Sequence, residues 1–161
     1  MTSLVVYSSQ KGNTRKLAEV IYEELAGEKE IYPAAHAPVP EGYDMVYVGF
    51  WLKAGKPDPD SSEYLEKFKA GAPLFLFGTH GAAAGSDHVK NAVKHAKEIA
   101  KEASVKGVFT CPGEVDPAVL EKVKQRPDPP DWIKDAPEAA GHPDEEDLAA
   151  LRKMVADLQH K

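Results

Sequence analysis

A chain of 161 residues, 42% hydrophobic and 29% charged, is long enough to close one hydrophobic core and has the profile of an ordinary globular protein. Its formal charge of −6, from 20 basic against 26 acidic residues, argues against sequence-independent nucleic-acid binding, which neutralises phosphates with Lys and Arg. The single cysteine, Cys111, excludes an internal disulfide framework, and no apolar run approaches the roughly 20 residues of a bilayer span. Together these features predict a reducing, cytoplasmic setting without membrane attachment. They fit a small-molecule site or docking on a basic partner surface.

The chain opens directly into Leu4–Ser8, a short apolar stretch that predicts a first strand, with no leader pattern ahead of it. Leu17, Val20, Ile21 and Leu25 then recur at the spacing of one helical face. Asn13 or Thr14 is the expected N-cap of that helix and Gly27 its stop. Glu30–Pro33 predicts a weak second strand and Met45–Phe50 a stronger third, closed by a loop holding Gly55, Pro57 and Pro59. Between them Pro33–Asp44 carries three prolines, so little helix is expected in that crossover. A short helix with Tyr64, Leu65 and Phe68 facing inward leads to Pro73–Phe77, a continuous apolar run of the kind covered on both faces. After the small-residue loop Gly78–Gly85, Asp87 is expected to cap a long helix with Val89, Ala92, Val93, Ala96 and Ala100 on one face. Val105–Thr110 is the fifth strand. Strands separated by helices predict a parallel sheet with helices on both faces, joined by right-handed crossovers.

The last third changes character. Asp116–Lys124 predicts a short helix opened by Pro117. Five prolines between Pro127 and Pro143 then predict an extended surface loop, pinned by Trp132 and Ile133. Pro143 and the acids Asp144, Glu145, Glu146 and Asp147 mark the first turn of a final helix, with Leu148, Leu151, Val155 and Leu158 as its buried stripe. Without an internal repeat, residues 1–161 read as one domain. Its core is 1–111, and 112–161 supplies the short helix, the Pro-rich loop and the final helix.

In an open parallel sheet, ligands sit at the carboxyl ends of the strands where the strand order reverses. After the first strand comes Ser8-Ser9-Gln10-Lys11-Gly12-Asn13-Thr14-Arg15, leading straight into a helix. Free backbone N–H groups, the helix dipole and three hydroxyls suit an anion, and a phosphate monoester fits best. A plain capping motif is the alternative reading. Neither the Walker A pattern nor GxGxxG is present. After the third strand comes Gly49-Phe50-Trp51-Leu52-Lys53-Ala54-Gly55-Lys56. Trp51 there either stacks on a planar ring or closes the sheet edge, and Gly55 gives the loop freedom to reorient a peptide group. After the fourth, Gly78-Thr79-His80-Gly81-Ala82-Ala83-Ala84-Gly85-Ser86 brings backbone amides close to a flat ligand. His80 is either a donor there or incidental.

Three loops of this kind, in this order, resemble the flavodoxin family. Ser9-Gln10-Lys11-Gly12-Asn13-Thr14 is similar to its FMN-phosphate motif, roughly Thr/Ser-x-Thr-Gly-Asn-Thr, flanked by Val5-Val6-Tyr7-Ser8 and Lys16-Leu17-Ala18. The resemblance covers residues 1–111 and implies a flavodoxin-like three-layer α/β sandwich with a five-stranded parallel sheet in the order 2-1-3-4-5. It implies FMN as cofactor, with its phosphate at Ser9, Gln10, Lys11, Gly12, Asn13 and Thr14. The ring would then lie between Phe50, Trp51, Leu52, Lys53 and Gly55 on one side and Thr79, His80, Gly81 and Gly85 on the other. Two departures stand out: Lys11 replaces a usual hydroxyl residue, and the fourth-strand loop lacks the tyrosine that many flavodoxins stack on the ring. Trp51 is left as the expected aromatic cover.

Gly49-Phe50-Trp51, Phe77-Gly78-Thr79, Cys111-Pro112-Gly113 and His142-Pro143-Asp144-Glu145-Glu146-Asp147-Leu148 are similar to a bacterial subgroup of flavodoxin-like proteins. Some members of that subgroup accompany bilirubin reductase and are associated with supplying electrons. The expected function is therefore an FMN-binding electron carrier serving a partner reductase, rather than a stand-alone oxidoreductase. The alternative is an NAD(P)H-dependent FMN or quinone reductase of the same fold, with the Pro-rich loop capping the ring or serving as a docking surface. A phosphoacceptor receiver domain shares the strand order, but it needs acids where Ser8-Ser9 and Phe50-Trp51 stand. A flavodoxin-like scaffold without cofactor is the third reading. Cys111 is either a buried structural thiol or a contact to the flavin edge, and no histidine is placed by the sequence to make it a nucleophile.

Overall fold

The computed structural model describes residues 2–9, 12–53, 55–81, 86–114, 117–129 and 139–159. Five parallel strands form the sheet: β1 (Thr2–Tyr7), β2 (Glu28–Pro33), β3 (Met45–Lys53), β5 (Pro73–His80) and β6 (Ser104–Pro112). Their spatial order is β2-β1-β3-β5-β6, with the two-residue β4 (Lys56–Pro57) antiparallel to the end of β3. Leaving β4 aside, this is the 2-1-3-4-5 order that the resemblance implies. The helices are α1 (Asn13–Glu24), α2 (Pro59–Leu65), α3 (Asp87–Ile99), α4 (Pro117–Lys124) and α5 (Glu145–Gln159). The proline-rich second crossover holds only the 3-10 turn Ala34–His36, as its composition predicts. Among the described residues no helix is long and apolar enough to cross a membrane.

The strands are apolar at consecutive positions because each face of the sheet meets its own helices. Successive side chains point to opposite faces. Val5, Tyr47, Phe75, Phe77 and Phe109 therefore join Leu17 and Ile21 of α1 and Leu148, Leu151 and Val155 of α5 in one core. Leu4, Val6, Val46, Val48, Leu74 and Leu76 join Tyr64 and Leu65 of α2 and Ala96 of α3 in the other. The C-terminal helix thus completes the α1 face. Cys111 is 2% exposed within that face.

Aromatic rings and glycines stand opposite one another across the ladder. Gly49 faces Phe77, Phe50 faces Gly78 and Phe75 faces Gly107 in register. A Cβ on Gly78 would lie 2.7 Å from Phe50 Cε2, one on Gly107 would lie 2.8 Å from Phe75 Cε2, and one on Gly49 would overlap the Phe77 ring. Each ring occupies the volume its partner leaves empty, so the packing fixes size as well as polarity.

Several local expectations are corrected. The third strand does not stop at Phe50: β3 runs through Lys53, since Phe50 and Trp51 still pair with Gly78 and Thr79. The chain then reverses at Gly55 (φ +78°) into β4. In the same way Thr79 and His80 belong to β5, not to a loop. The N-cap of α1 is Gly12, not Asn13 or Thr14, whose side chains bond to distant elements instead. Ser86 rather than Asp87 caps α3, and Asp87 follows in the first turn, where its charge suits the dipole. Trp132 and Ile133, the expected anchors of the Pro-rich loop, lie outside the described residues.

Gly78→Ala should destabilise the protein by about 1–3 kcal/mol, because the added methyl forces the Phe50 ring out of its rotamer or spreads β3 from β5. Urea unfolding, followed by far-UV circular dichroism, measures this.

Candidate functional site

The strand order reverses between β1 and β3, so the chain leaves the carboxyl ends of these two strands toward opposite faces and opens a crevice there. The N-terminus of α1 fills one end of it. Ser8 N donates to Gly49 O (3.0 Å) as the chain leaves β1, and Ser9 Oγ accepts from Gly12 N (3.0 Å). Gly12 itself adopts φ +93°, a left-handed conformation that costs other residues strain. The first-turn N–H groups of Asn13, Thr14 and Arg15 have no intrahelical acceptors. Among the described residues no side chain caps α1, and no acid stands in its first turn. The result is a small cup of backbone donors at the positive end of a helix, which is what an anion needs.

Behind the cup, Asn13 and Thr14 fasten α1 to the sheet. Thr14 is 1% exposed; its Oγ1 lies 2.9 Å from Thr79 Oγ1 and donates to Phe50 O (3.4 Å). Its hydroxyl therefore lies against the strand ends. Asn13 Nδ2 donates to Glu114 O (3.0 Å), just beyond β6. Gly113 permits that approach: a Cβ there would sit 2.9 Å from Asn13 Nδ2 and 3.0 Å from Thr79 Cβ. Gly113 N also donates to His80 O (2.8 Å), which closes the loop over the strand ends. Thr79 and His80 are 5% and 4% exposed, at the floor of the crevice and not on its lip.

The second wall is the β3–β4 hairpin, and Asp58 holds it. This carboxylate, 1% exposed, accepts from Trp51 N (3.1 Å), Ser61 N (3.1 Å) and Ser61 Oγ (2.7 Å), while Asp58 N donates to Trp51 O (2.9 Å). One side chain thus caps α2 and fixes the backbone of Trp51. Trp51 and Leu52 are half-buried and Lys53 is exposed, while Phe50 is buried in the core against Gly78. The hairpin tip rests on α3, where His88 Cε1 would be 3.4 Å from a Cβ on Gly55. Gly81 is half-buried at the end of β5.

The structure therefore brings Ser9, Gly12, Asn13, Thr14 and Thr79 together at one end of the crevice and puts the hairpin from Trp51 through Gly55 at its side. Gln10, Lys11 and Gly85 lie outside the described residues. Asp58 is an addition to the residues singled out in the sequence, and Gly113, quoted there within Cys111-Pro112-Gly113, proves to be the point where Asn13 and Thr79 meet that turn. The Asp58-Pro59 step carried the signal for the first, an acidic N-cap followed by proline at the first helical position. The motif marks Gly113 but not the reason for it, because its neighbours Asn13 and Thr79 are distant in sequence.

A charged clasp backs the cup. Glu114 N donates to His142 O (3.0 Å), and Lys16 Nζ donates to Pro143 O (3.2 Å). His142 Nδ1 lies 2.6 Å from Asp147 Oδ2 and 3.6 Å from Asp144 Oδ2. Asp144 N donates to Asp147 Oδ2 and Asp147 N to Asp144 Oδ1, each at 3.0 Å. This reciprocal pattern is the capping box of α5, with the imidazole added. The hydrogen bond to Asp147 raises the His142 pKa above its ordinary 6.5, assisted by the charges of Asp147, Asp144 and Glu146. The Asp147 N–H holds the Asp144 carboxyl below its ordinary range. Burial pushes the Cys111 thiol up, and Asp147 and Asp144 add to it, so this cysteine is a protonated core residue and not a nucleophile.

Two outcomes follow from this geometry. Asp58→Ala should cost about 1–2 kcal/mol, the loss of a helix cap, and should speed amide hydrogen exchange at Trp51 and Ser61 while β1 stays protected. For His142, a folded pKa above the unfolded value means that its stabilisation is complete below about pH 6.5 and fades as pH rises through the folded value. Asp144 titrates well below that window. Urea unfolding of the wild type should therefore weaken as pH rises above about 6.5, and His142→Gln should remove that slope.

Comparison with known proteins agrees with this architecture. The model of a family described as "Flavodoxin domain" matches residues 4–156. The flavodoxin-like domain-containing protein BilS of Clostridioides difficile (strain CD3) is 31% identical, over 100% of this chain and 98% of that protein. Oxidised flavodoxin 2 from Bacillus cereus superposes with a TM-score of 0.65 at 20% identity, covering 99% of both chains. A flavoprotein from Lactobacillus acidophilus NCFM, solved in complex with FMN, superposes with a TM-score of 0.55 at 19% identity, over 77% of this chain and 99% of that one. The match over nearly the whole chain, on a sheet of this order with this crevice, places the protein in the flavodoxin family.

Proposed function

We propose that the protein binds FMN in this crevice and carries electrons to a partner reductase. The observation that carries the reading is the uncapped, acid-free N-terminus of α1 at the strand-order reversal. Its donors are neutral, which suits a phosphate monoester held without a metal. The flavoprotein from Lactobacillus acidophilus NCFM that was solved with FMN shares the fold.

Ser9, Gly12, Asn13 and Thr14 hold the phosphate end, with Gln10 and Lys11 of the same turn. Trp51, Leu52, Lys53 and Gly55 offer one wall for the ring, with Phe50 behind them in the core; Thr79 and His80 form the floor and Gly81 the other side, to which the resemblance adds Gly85. FMN, once bound, accepts and releases electrons singly or in pairs. The chain's own residues bind, orient and tune. Asp58 fixes the Trp51 peptide, so the indole needs little reordering to cover a planar ring. The hairpin turn at Gly55 presents a peptide group to the ring edge without the hindrance of a side chain. The net charge of −6 opposes further negative charge in the crevice and poises the site to give electrons away.

The buried Cys111 offers no second redox group. The acceptor is a separate reductase, of the kind that accompanies the bilirubin-reductase-associated subgroup, in the cytoplasm. Purified protein is expected to be yellow with bound flavin, and photoreduction should add electrons in two separable steps. Gly12→Ala, which strains the cup and leaves the sheet intact, should weaken FMN binding on the order of tenfold. A colourless protein that takes up no added FMN overturns the proposal. Rapid NADPH oxidation by the isolated protein overturns the carrier role in favour of a reductase.

A further inference from the structure

A groove of about 390 Å3 lies between α3 and the carboxyl half of the edge strand β6, lined by Val89, Lys90, Val93, Lys94, Lys97 and Thr110. Its chemistry runs against the rest of the protein. The chain as a whole carries −6, yet every charged residue lining the groove is a lysine and none is an acid. Lys90, Lys94 and Lys97 follow one another at i, i+4 and i+7, the spacing of one helical face, and all three are exposed. Lys101 continues the row beyond the helix end. Among the described residues none of these lysines is within ion-pair distance of an acid, whereas Arg15, Lys69 and Arg152 all are. Like charges three and four residues apart destabilise a helix. The helix dipole opposes a cation at Lys90, near the N-terminus of α3, and favours one at Lys97 in its last turn. The row carries its charge without an ion-pair partner among the described residues, open to an anion from outside.

The floor supplies the second half of the recognition. Val93 is half-buried beside buried Val89, and Thr110 is half-buried on β6, so the groove has an apolar base under a basic wall. Thr110 pairs with Gly78, and the next residue, Cys111, pairs with Thr79, so the groove opens at the same end of the sheet as the crevice.

We propose that this groove docks an acidic, extended segment of a partner protein, whose carboxylates meet Lys90, Lys94 and Lys97 while an apolar side chain rests on Val89 and Val93. Charge complementarity selects the occupant. A nucleic acid brings dense charge that the −6 of the chain repels beyond the groove, whereas a short acidic segment confines its charge within about one Debye length, 8 Å, of the lysines. As a partner surface for the carrier, this inference rests on the reading given under Proposed function, but the docking itself does not require flavin.

The test uses the full chain with a fluorescein-labelled 12-residue peptide of alternating Glu and Val. Expected are saturable binding that weakens with salt and amide shift changes confined to α3 and β6 in NMR spectra. Each of Lys90→Gln, Lys94→Gln and Lys97→Gln should weaken binding about two- to fivefold, and the triple variant by at least about tenfold. An unchanged affinity in the triple variant overturns the proposal, as do shift changes that fall elsewhere. Equal or tighter binding of a single-stranded oligonucleotide, or of phosphatidylserine vesicles, also overturns it. Measuring the flavin-free and flavin-loaded protein separates the two readings. Peptide docking by a protein that never binds FMN upholds the groove and sinks the carrier, while FMN binding without peptide docking sinks the groove alone.

Discussion

A parallel sheet must cover both of its faces, and the crevice follows from how this chain does so. With β1 at the reversal of strand order, the chain leaving β1 passes to one face while the chain leaving β3 passes to the other. No crossover roofs the space between them, and the helix entering from β1 points its unpaired N–H groups into it. The crevice is thus a by-product of burying Leu4 and Val6 on one side and Val5 on the other. The cup needs only that no residue spoil it. Gly12 takes the turn, Ser9 braces it, and the first turn of α1 carries no acid.

Around that opening the protein uses few side chains and makes each join several elements. Asp58 ties the end of β3, the hairpin and α2. Thr14 ties α1 to β3 and β5, and Asn13 ties α1 to the segment after β6. The clasp of His142, Asp144 and Asp147 then secures the tail against the same corner through Glu114 and Lys16. In each case a buried or half-buried polar group is satisfied by a partner on another element, which is where hydrogen bonds contribute most to a unique arrangement.

Much of this was legible in the chain. Apolar runs such as Pro73–Phe77 and helical stripes such as Leu17, Val20, Ile21 and Leu25 are local signals, and they placed every long strand and helix. Ser9-Gln10-Lys11-Gly12-Asn13-Thr14 marked the cup by composition. What was not legible depends on contacts across long stretches of sequence. Asn13 and Thr14 read as caps because their types favour caps; only the folded sheet offers Glu114, Thr79 and Phe50 as alternative partners. Prolines and glycine after Phe50 mark an end to the third strand, but pairing with Thr79 carries it onward. Thr79 and His80 look like loop residues beside Gly81, and ladder bonds to β6 keep them in the sheet.

The ring-and-glycine pairs across β3, β5 and β6 bear on how such a chain can change over time. Gly49 with Phe77, Phe50 with Gly78, and Phe75 with Gly107 each share one fixed volume between two strands. Enlarging one member is tolerable only if the other shrinks. Each couple should therefore drift as a unit, and relatives that keep this sheet while losing the glycine should be found to have surrendered the ring as well.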